Sequence, residues 1–221
     1  MKTNLIDIFS SNYEFLGTAS KTVAHKTGLW HRVFTCLIVN SEKKTVFLQK
    51  KYPNRYEFDR PDYLDISVGG HYEAGENIES GIRELIEETN IKNVSINDLI
   101  SLGVRQTSFC VSPNYIANEF QHIYLYDFNK DVKELLSNNN EVSSFVEIDI
   151  LGCIDVILQR IRKINAKQCY IDRNKKNIRD IEIKYEDFIP SYLKGDQFML
   201  RLLIAAKRYC FSEYDEGLLF W

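Results

Sequence analysis

Two apolar runs near the start of the chain predict a pair of buried strands. Residues 31–40, HRVFTCLIVN, and 45–50, TVFLQK, are rich in β-branched and aromatic side chains, and the turn-like SEKK separates them. This pattern predicts a β-hairpin. A shorter apolar run, LDISV at 64–68, ends at Gly69-Gly70. It predicts a strand that leads into a tight loop.

From Asn77 to Thr89 the apolar period changes to that of a helix. Asn77 is predicted to cap the start of this helix, and Asn90 to end it in the left-handed conformation. One face of the helix is predicted to pack against a core. The apolar positions on that face are Ile78, Ile82, Leu85 and Ile86.

The rest of the chain continues as a mixture of β-like and helical patterns. Helices are predicted over 153–161 and near 196–211. The β-like runs lie at 101–111, 119–128, 141–150, 168–172 and 177–185. The pattern predicts an α/β fold of the α+β type. We expect a lead-in over 1–27, a main domain over 28–150, and a C-terminal extension over 151–221 that packs on the core.

Composition narrows the class of partner. The chain has 221 residues, 28 of them basic and 31 acidic, for a net charge of −3. No basic tract is long enough to follow a nucleic-acid backbone, and no apolar run is long enough to span a membrane. The five cysteines are scattered, without disulfide-like or zinc-like spacing. They predict a reducing, cytoplasmic location.

Acidic residues of the predicted helix form the candidate chemical site. At about 100° per residue, Glu84 and Glu88 project side by side and Glu87 lies about 60° away. Such a group suits a hard divalent cation, although solvated helix faces carry similar runs equally often. Gly81 lies on the same flank and predicts a close approach to the helix there. Gly69-Gly70 could aim a backbone carbonyl at the same ion.

Residues 69–91, GGHYEAGENIESGIRELIEETNI, resemble the signature of the Nudix hydrolases. The matching residues are Gly70, Glu76, Arg83, Glu84, Leu85, Glu87, Glu88 and Ile91. Two features depart from the usual pattern. Six residues, one fewer than usual, separate Glu76 from Arg83, and Asn90 stands where glycine is common. Similarly shortened signatures occur in a branch akin to isopentenyl-diphosphate isomerases, and the resemblance covers roughly residues 12–150.

The resemblance implies a Nudix fold, a mixed sheet between helices, and hydrolysis of a small diphosphate compound. Glu84, Glu87 and Glu88 would bind Mg²⁺, or Mn²⁺ in its place, together with the carbonyl of Gly69. Arg83 would act in catalysis by orienting a glutamate. Gly70 and Glu76 would be structural parts of the signature.

The isomerase is an alternative that the sequence addresses directly. His25, His31, His71 and Glu119 stand where that enzyme binds a second metal. Isomerisation also needs a cysteine and a second glutamate for proton transfer, and Gly69 and Ala117 occupy those positions. Hydrolysis is therefore favoured. A non-catalytic nucleotide-binding module is the other alternative.

Single residues outside the signature leave choices open. Glu119 is a candidate for a further metal ligand or for the base that activates water. Glu141 and Glu147 compete with it. For His25 and His31 we favour a structural role in the core over a role as ligands. Candidate substrate contacts are His31, Arg55, Arg60 and His71, the two arginines lying in a loop rich in aromatic residues. A homodimer is left open.

Overall fold

The computed structural model describes residues 5–52, 62–137 and 139–213. The described strands are β1 (Leu5–Phe9), β2 (Phe15–Ser20), β3 (Trp30–Asn40), β4 (Thr45–Lys51), β5 (Val68–His71), β6 (Ile100–Ser112), β7 (Tyr115–Asp127), β8 (Val142–Asp149), β9 (Lys163–Asp172) and β10 (Lys175–Lys184). The α-helices are α1 (Lys21–Thr27), α2 (Ile82–Glu88), α3 (Val132–Leu135), α4 (Ile150–Ile157), α5 (Pro190–Leu193) and α6 (Phe198–Cys210). Short 3₁₀ turns lie at Glu79–Gly81, Ile96–Asp98 and Tyr185–Asp187.

Strand β3 organises the sheet. It pairs in parallel with β7 along one edge, and with β1, β5 and β4 in turn along the other. The remaining pairings are antiparallel, and the main path runs β10-β9-β8-β4-β3-β1-β2. The sheet is therefore mixed, as predicted.

Two hydrophobic clusters cover opposite faces of β3. Leu37 and Val39 pack in a cluster with α4 and α6, whereas Phe34, Cys36 and Ile38 pack in a second one with α2 and α3. Because alternate side chains of a strand point to opposite faces, a strand covered on both faces needs an almost continuous apolar sequence. This requirement explains the run that predicted β3, and it confirms the arrangement of a sheet between helices.

The C-terminal extension continues the same sheet. Strand β9 pairs with β8, β10 pairs with β9, and α6 supplies much of the cluster on the α4 side. The division after residue 150 stays a prediction, and it falls at the start of α4. That helix starts earlier than predicted because the Asp149 side chain accepts a hydrogen bond from the Gly152 N–H and caps it. No helix in the part of the chain described here is long and apolar enough to cross a membrane.

The helix of the signature differs in detail from its prediction. A 3₁₀ turn precedes α2, so the helix proper begins at Ile82. Asn77 does cap the start, since its side chain accepts a hydrogen bond from the Ser80 N–H. The left-handed end predicted at Asn90 is wrong, because the helix ends in extended backbone at Thr89 and Asn90 has no positive φ.

Candidate active site

A cavity of about 930 Å³ lies between the sheet, α2 and the extension. Its wall includes Gly69-Gly70 and His71 of β5, Glu84 and Glu87 of α2, and Glu119 of β7. Residues 191, 192 and 194–196 of the extension also line it. The signature residues and the extension therefore share one space.

Three histidines and a glutamate form a cluster, of which His71 and Glu119 line this cavity. His25 lies on α1, which Ser20 caps at one end and Gly28, with φ of 69°, ends at the other. His31 on β3 lies directly opposite Glu119 in the parallel pairing with β7. His71 ends β5, whose Gly70 and Gly69 pair with β3. One ligand atom from each of the four side chains lies within 4.8 Å of every other.

Backbone carbonyls orient two of these imidazoles. His31 Nδ1 lies 2.8 Å from the Leu29 carbonyl oxygen, and His25 Nδ1 lies 3.3 Å from that of Ile116. A carbonyl oxygen only accepts, so each Nδ1 must carry the proton and each Nε2 keeps a lone pair. His25 Nε2 therefore accepts a hydrogen bond of 3.0 Å from the Nε2–H of His71. His31 Nε2 is buried without a hydrogen-bond partner, 3.9 Å from Glu119 Oε1.

Burial keeps these histidines neutral. It lowers the pKa of His31 to about 4, and burial together with repulsion from a protonated His31 lowers the pKa of His25 to about 4. Burial also lowers the pKa of His71 well below its usual value, with Lys21 adding to the effect. Near neutral pH all three imidazoles can therefore offer a lone pair.

The donor set fits a divalent transition metal. The buried Nε2 of His31, which has no hydrogen-bond partner, costs free energy unless something binds it. Metal-binding histidines usually donate their other ring N–H to a carbonyl or carboxylate oxygen, as His25 and His31 do here. Imidazole nitrogens with one carboxylate suit ions such as Mn²⁺ and Zn²⁺. Among the described residues, this is the group of three or more His, Cys, Asp or Glu side chains whose ligand atoms all lie within 4.8 Å of one another.

Glycine at position 70 makes room for Glu84. A β-carbon built on Gly70 would lie 2.1 Å from the carboxyl carbon of Glu84. The Glu84 carboxylate therefore rests directly against the β5 backbone. Burial raises the pKa of Glu84, whereas Arg83 opposes that rise.

Arg83 joins the glycine loop to α2. Its Nε and Nη2 lie 3.0 and 3.2 Å from the two carboxylate oxygens of Glu76, and Nη2 also donates to the His71 carbonyl. Its Nη1 lies 2.9 Å from Glu84 and 3.4 Å from Glu87. Glu76 in turn accepts a hydrogen bond from the Glu73 N–H. The shortened spacing between Glu76 and Arg83 thus leaves their ion pair intact.

Glu88 has different partners from the other two carboxylates of the signature. It is 2% exposed and accepts hydrogen bonds from Gln49 Nε2, the Gly69 N–H and Lys51 Nζ. Burial raises the pKa of Glu88 to about 7, although Lys51 opposes the rise. Glu84 and Glu87 thus share Arg83 whereas Glu88 pairs with Lys51, so the three carboxylates do not converge on one point.

Two lysines bring positive charge to the cavity. Lys21, the first residue of α1, and Lys51, the last of β4, both line it. Burial and the neighbouring Lys51 lower the pKa of Lys21, while Glu141 opposes them. Burial alone would lower the pKa of Lys51, but Glu88 and Glu141 outweigh it and raise that pKa. Cations beside carboxylates suit a phosphorylated ligand that arrives with divalent metal.

The structure sorts the remaining candidates. Arg55 and Arg60 lie outside the described residues. Glu141 lines the cavity and contacts Lys51, whereas Glu147 contacts Lys43 and Thr45 in a different region. The close approach expected at Gly81 comes from the core, because a β-carbon there would lie 2.5 Å from the Tyr72 hydroxyl and 2.7 Å from the Phe34 ring.

Several cavity residues were not singled out from the sequence. They are Lys21, Lys51, Arg105, Tyr115, Gln121 and Asp196. The spacing of Glu119 and Gln121 at i and i+2 in β7 places both on one face of the strand, and this is a signal that could have identified Gln121. No comparable local pattern marks Asp196, whose position depends on the packing of the extension.

The chain is similar to several known proteins. The family model of the NUDIX domain matches residues 29–166. An uncharacterized Nudix hydrolase of Clostridium acetobutylicum is 30% identical over 207 residues, covering 92% of this chain and 98% of the relative. One from Nostoc is 27% identical over 143 residues, covering 64% and 78%. A crystal structure from Deinococcus radiodurans shares the fold at 23% identity with a TM-score of 0.51, covering 70% of this chain and 89% of that one.

The chain belongs to the Nudix family, since the family model spans more than half of it. It is accordingly a hydrolase that acts on phosphoanhydride bonds. The Clostridium relative extends this similarity through the C-terminal extension, because the match covers almost the whole of both chains.

Proposed function

We propose that this protein hydrolyses a small nucleoside diphosphate derivative, or a related diphosphate compound, with the help of divalent metal. The observation that carries the proposal is the shared cavity. Glu84 and Glu87 of the signature, the cations Lys21 and Lys51, and His71 and Glu119 of the histidine cluster all line it, and His25 and His31 lie directly behind His71 and Glu119 in that cluster. The five cysteines, none in a disulfide, support the predicted cytoplasmic location.

Two sets of ligands would hold the metal. Glu84, Glu87 and Gly69 line the cavity and offer it the oxygen atoms that Mg²⁺ prefers, and Glu88 would join them by exchanging Lys51 for the ion. The histidine cluster offers imidazole nitrogens, which suit Mn²⁺ or Zn²⁺ better. Bound divalent metal would supply charge neutralisation on the diphosphate and a lowered pKa for the attacking water. We therefore assign His31 and His71 to metal binding rather than to direct contact with substrate.

The chain's own residues would bind and orient the substrate. Lys21 and Lys51 can donate hydrogen bonds to phosphate oxygens. Arg83, fixed by Glu76, holds Glu84 and Glu87 in place at the cavity. Phe109 and Tyr115 offer aromatic surface to the group attached to the diphosphate. A volume of about 930 Å³ is ample for a nucleotide-sized ligand.

A substrate screen tests the proposal. Nucleoside diphosphate sugars, dinucleotides, ADP-ribose, CoA and thiamine diphosphate would be incubated with the protein and Mg²⁺ or Mn²⁺, and the products separated by chromatography. We expect cleavage into two phosphorylated fragments. Binding without cleavage across the panel would favour the non-catalytic module.

The variant Glu84→Gln tests the signature carboxylate. It keeps the side-chain volume and removes one charged ligand, so turnover should fall at least about a hundredfold while the melting temperature stays near that of the parent. Glu79→Gln is the matched control, because Glu79 is exposed on the turn just before α2 and does not line the cavity. Equal activity of Glu84→Gln and Glu79→Gln would contradict the assignment.

The isomerase alternative has its own test. The histidine cluster stands where that enzyme binds metal, but Gly69 and Ala117 line the cavity in place of the groups that would move a proton on carbon. No cysteine is among the described residues that line it. We expect no conversion of isopentenyl to dimethylallyl diphosphate, and detection of that product would overturn the hydrolase proposal.

A further inference from the structure

Register in the sheet brings three polar side chains into a row. Glu119 and Gln121 are two residues apart on β7 and therefore share a face. Arg105 on β6 is the direct cross-strand partner of Gln121. All three are largely buried, at 9%, 6% and 8% exposure. Buried polar groups of this kind need hydrogen-bond partners, and here each supplies one to the next.

The hydrogen bonds in this row have a defined direction. Arg105 Nη1 lies 2.6 Å from Gln121 Oε1, and Gln121 Nε2 lies 2.8 Å from Glu119 Oε2. Arginine only donates and a carboxylate only accepts. The Gln121 amide must therefore present its oxygen to Arg105 and its nitrogen to Glu119. With Oε2 engaged in this way, Glu119 Oε1 is the oxygen that faces His31 Nε2, at 3.9 Å.

The C-terminal extension anchors the far end of the row. Asp196 binds Arg105 through both oxygens, with Nε–Oδ2 and Nη2–Oδ1 distances of 2.7 and 3.0 Å. The Arg105 guanidinium also lies over the Phe198 ring, 4.1 Å from its centroid. Gly195 and Gln197, on either side of Asp196, have positive φ values of 63° and 54°. Asp196 therefore lies between two residues with left-handed backbone, just before α6.

We propose that Gln121, Arg105 and Asp196 are positioning residues that orient Glu119 toward the histidine cluster, so that the extension contributes to metal affinity. This inference rests on the proposed function, in which Glu119 is a metal ligand. Outer hydrogen-bond partners fix the geometry of metal ligands, and their loss commonly weakens metal binding by about 10- to 100-fold. Without Gln121, the Glu119 carboxylate would be free to turn away from His31.

Titration of the metal-free protein with Mn²⁺ by isothermal calorimetry, without substrate, tests the proposal. The component of the Mn²⁺ titration that disappears in His71→Ala is assigned to the histidine cluster and is called its binding phase. Gln121→Leu keeps the approximate volume and removes both hydrogen bonds. We expect it to weaken that phase by about 10- to 100-fold.

A matched control lies elsewhere in the same sheet. Gln168 on β9 is also 6% exposed, accepts a hydrogen bond from its cross-strand partner Arg179, and donates one to Ser144. It does not line the cavity. Gln168→Leu should therefore lose a comparable amount of thermal stability and keep the Mn²⁺ affinity of the parent.

The outcomes separate this inference from the function on which it rests. If the parent has no Mn²⁺ phase that His71→Ala removes, the cluster is not a metal site and the proposed function needs revision. If the parent has that phase and Gln121→Leu retains it unchanged, only the positioning role is overturned. Should Gln121→Leu fail to fold, the partly exposed Asp196→Asn decides. A roughly three- to tenfold weaker affinity supports the role, and unchanged affinity rejects it.

Discussion

At Gly70 the Glu84 carboxylate occupies the space that a β-carbon would need. The Glu84 carboxylate lies so close to Gly70 that its three terminal atoms would be 2.1–2.6 Å from any β-carbon built there. At Gly69 the nearest atom to such a carbon is the Phe34 carbonyl oxygen, at 3.8 Å, which is an ordinary contact. The two neighbouring glycines therefore have different requirements.

Alanine substitution separates these requirements. In Gly70→Ala the methyl group would push the flexible Glu84 carboxylate away, and the backbone need not move. We expect turnover to fall at least about tenfold with a melting temperature close to that of the parent. Gly69→Ala should cost far less activity. Steady-state kinetics and thermal unfolding of both variants provide the measurement, and equal losses would argue against a role for the Gly70–Glu84 contact.

Burial of Glu88 is the other informative case at this scale. A carboxylate that is 2% exposed is tolerated because Gln49, the Gly69 N–H and Lys51 all donate to it. Ile86, predicted to face the core, is instead 43% exposed. The apolar period placed Ile86 in the core incorrectly, and it gave no sign that Glu88 is buried, because the donors that make its burial possible come from β4 and β5.

At the scale of elements, α1 is a short helix with two functional side chains. It has seven residues. Lys21 lines the cavity, and His25 belongs to the histidine cluster. Helices this short are marginal on their own and depend on their ends. The Ser20 hydroxyl accepts a hydrogen bond from the Val23 N–H, and Gly28 ends the helix in the left-handed conformation.

Loss of the cap at Ser20 should affect function more than global stability. Ser20→Ala removes the acceptor and destabilises the first turn by about 1 kcal/mol. Because that turn carries Lys21 and leads to His25, we expect Mn²⁺ affinity and substrate KM to worsen by a few fold. Ser20→Asn keeps a capping side chain and should behave like the parent. Indistinguishable Ala and Asn variants would show that the cap has no such role.

Across the whole molecule, the extension is part of the structure that forms the cavity. Strands β9 and β10 extend the sheet, α6 packs in the cluster beside β3, and Asp196 meets Arg105 at the cavity wall. The N-terminal hairpin of β1 and β2 is tied in as well. There Tyr13 Oη lies 2.8 Å from His122 Nε2 on β7.

His122 predicts a pH dependence of stability. Burial, together with the charge of Arg32, lowers its pKa to about 4 from a value of 6.5. Tyr72 packs edge-on against the same imidazole. The unfolded state therefore binds a proton more readily than the native state between these values. The contribution of neutral His122 is complete above about pH 6.5 and is lost as pH falls toward 4.

The variant His122→Gln tests this pH dependence, because glutamine keeps an acceptor for Tyr13 and does not titrate. Between pH 6.5 and 4 its free energy of unfolding should fall by about 1–2 kcal/mol less than that of the parent, allowing for partial solvation. Urea unfolding at several pH values measures the difference. The other buried histidines are present in both proteins and cancel. Parallel stability curves would contradict this assignment.

Local sequence determined most of the framework. Continuous apolar runs identified β3 and β4 because strands covered on both faces cannot alternate. The signature over residues 69–91 identified the family, and the acidic residues and the Arg83–Glu76 pairing partners are visible in it. These features depend on residues close in the chain, so their pattern is readable without knowing the fold.

Tertiary structure alone decided which distant side chains meet. The sequence favoured a core role for His25 and His31. In the structure their ligand atoms lie within 4.8 Å of those of His71 and Glu119. The parallel register of β3 with β7 sets His31 opposite Glu119. Such a register is fixed by the packing of both sheet faces, and a shift of one residue would turn either side chain to the other face. No local period encodes that choice, nor the arrival of Asp196 at Arg105.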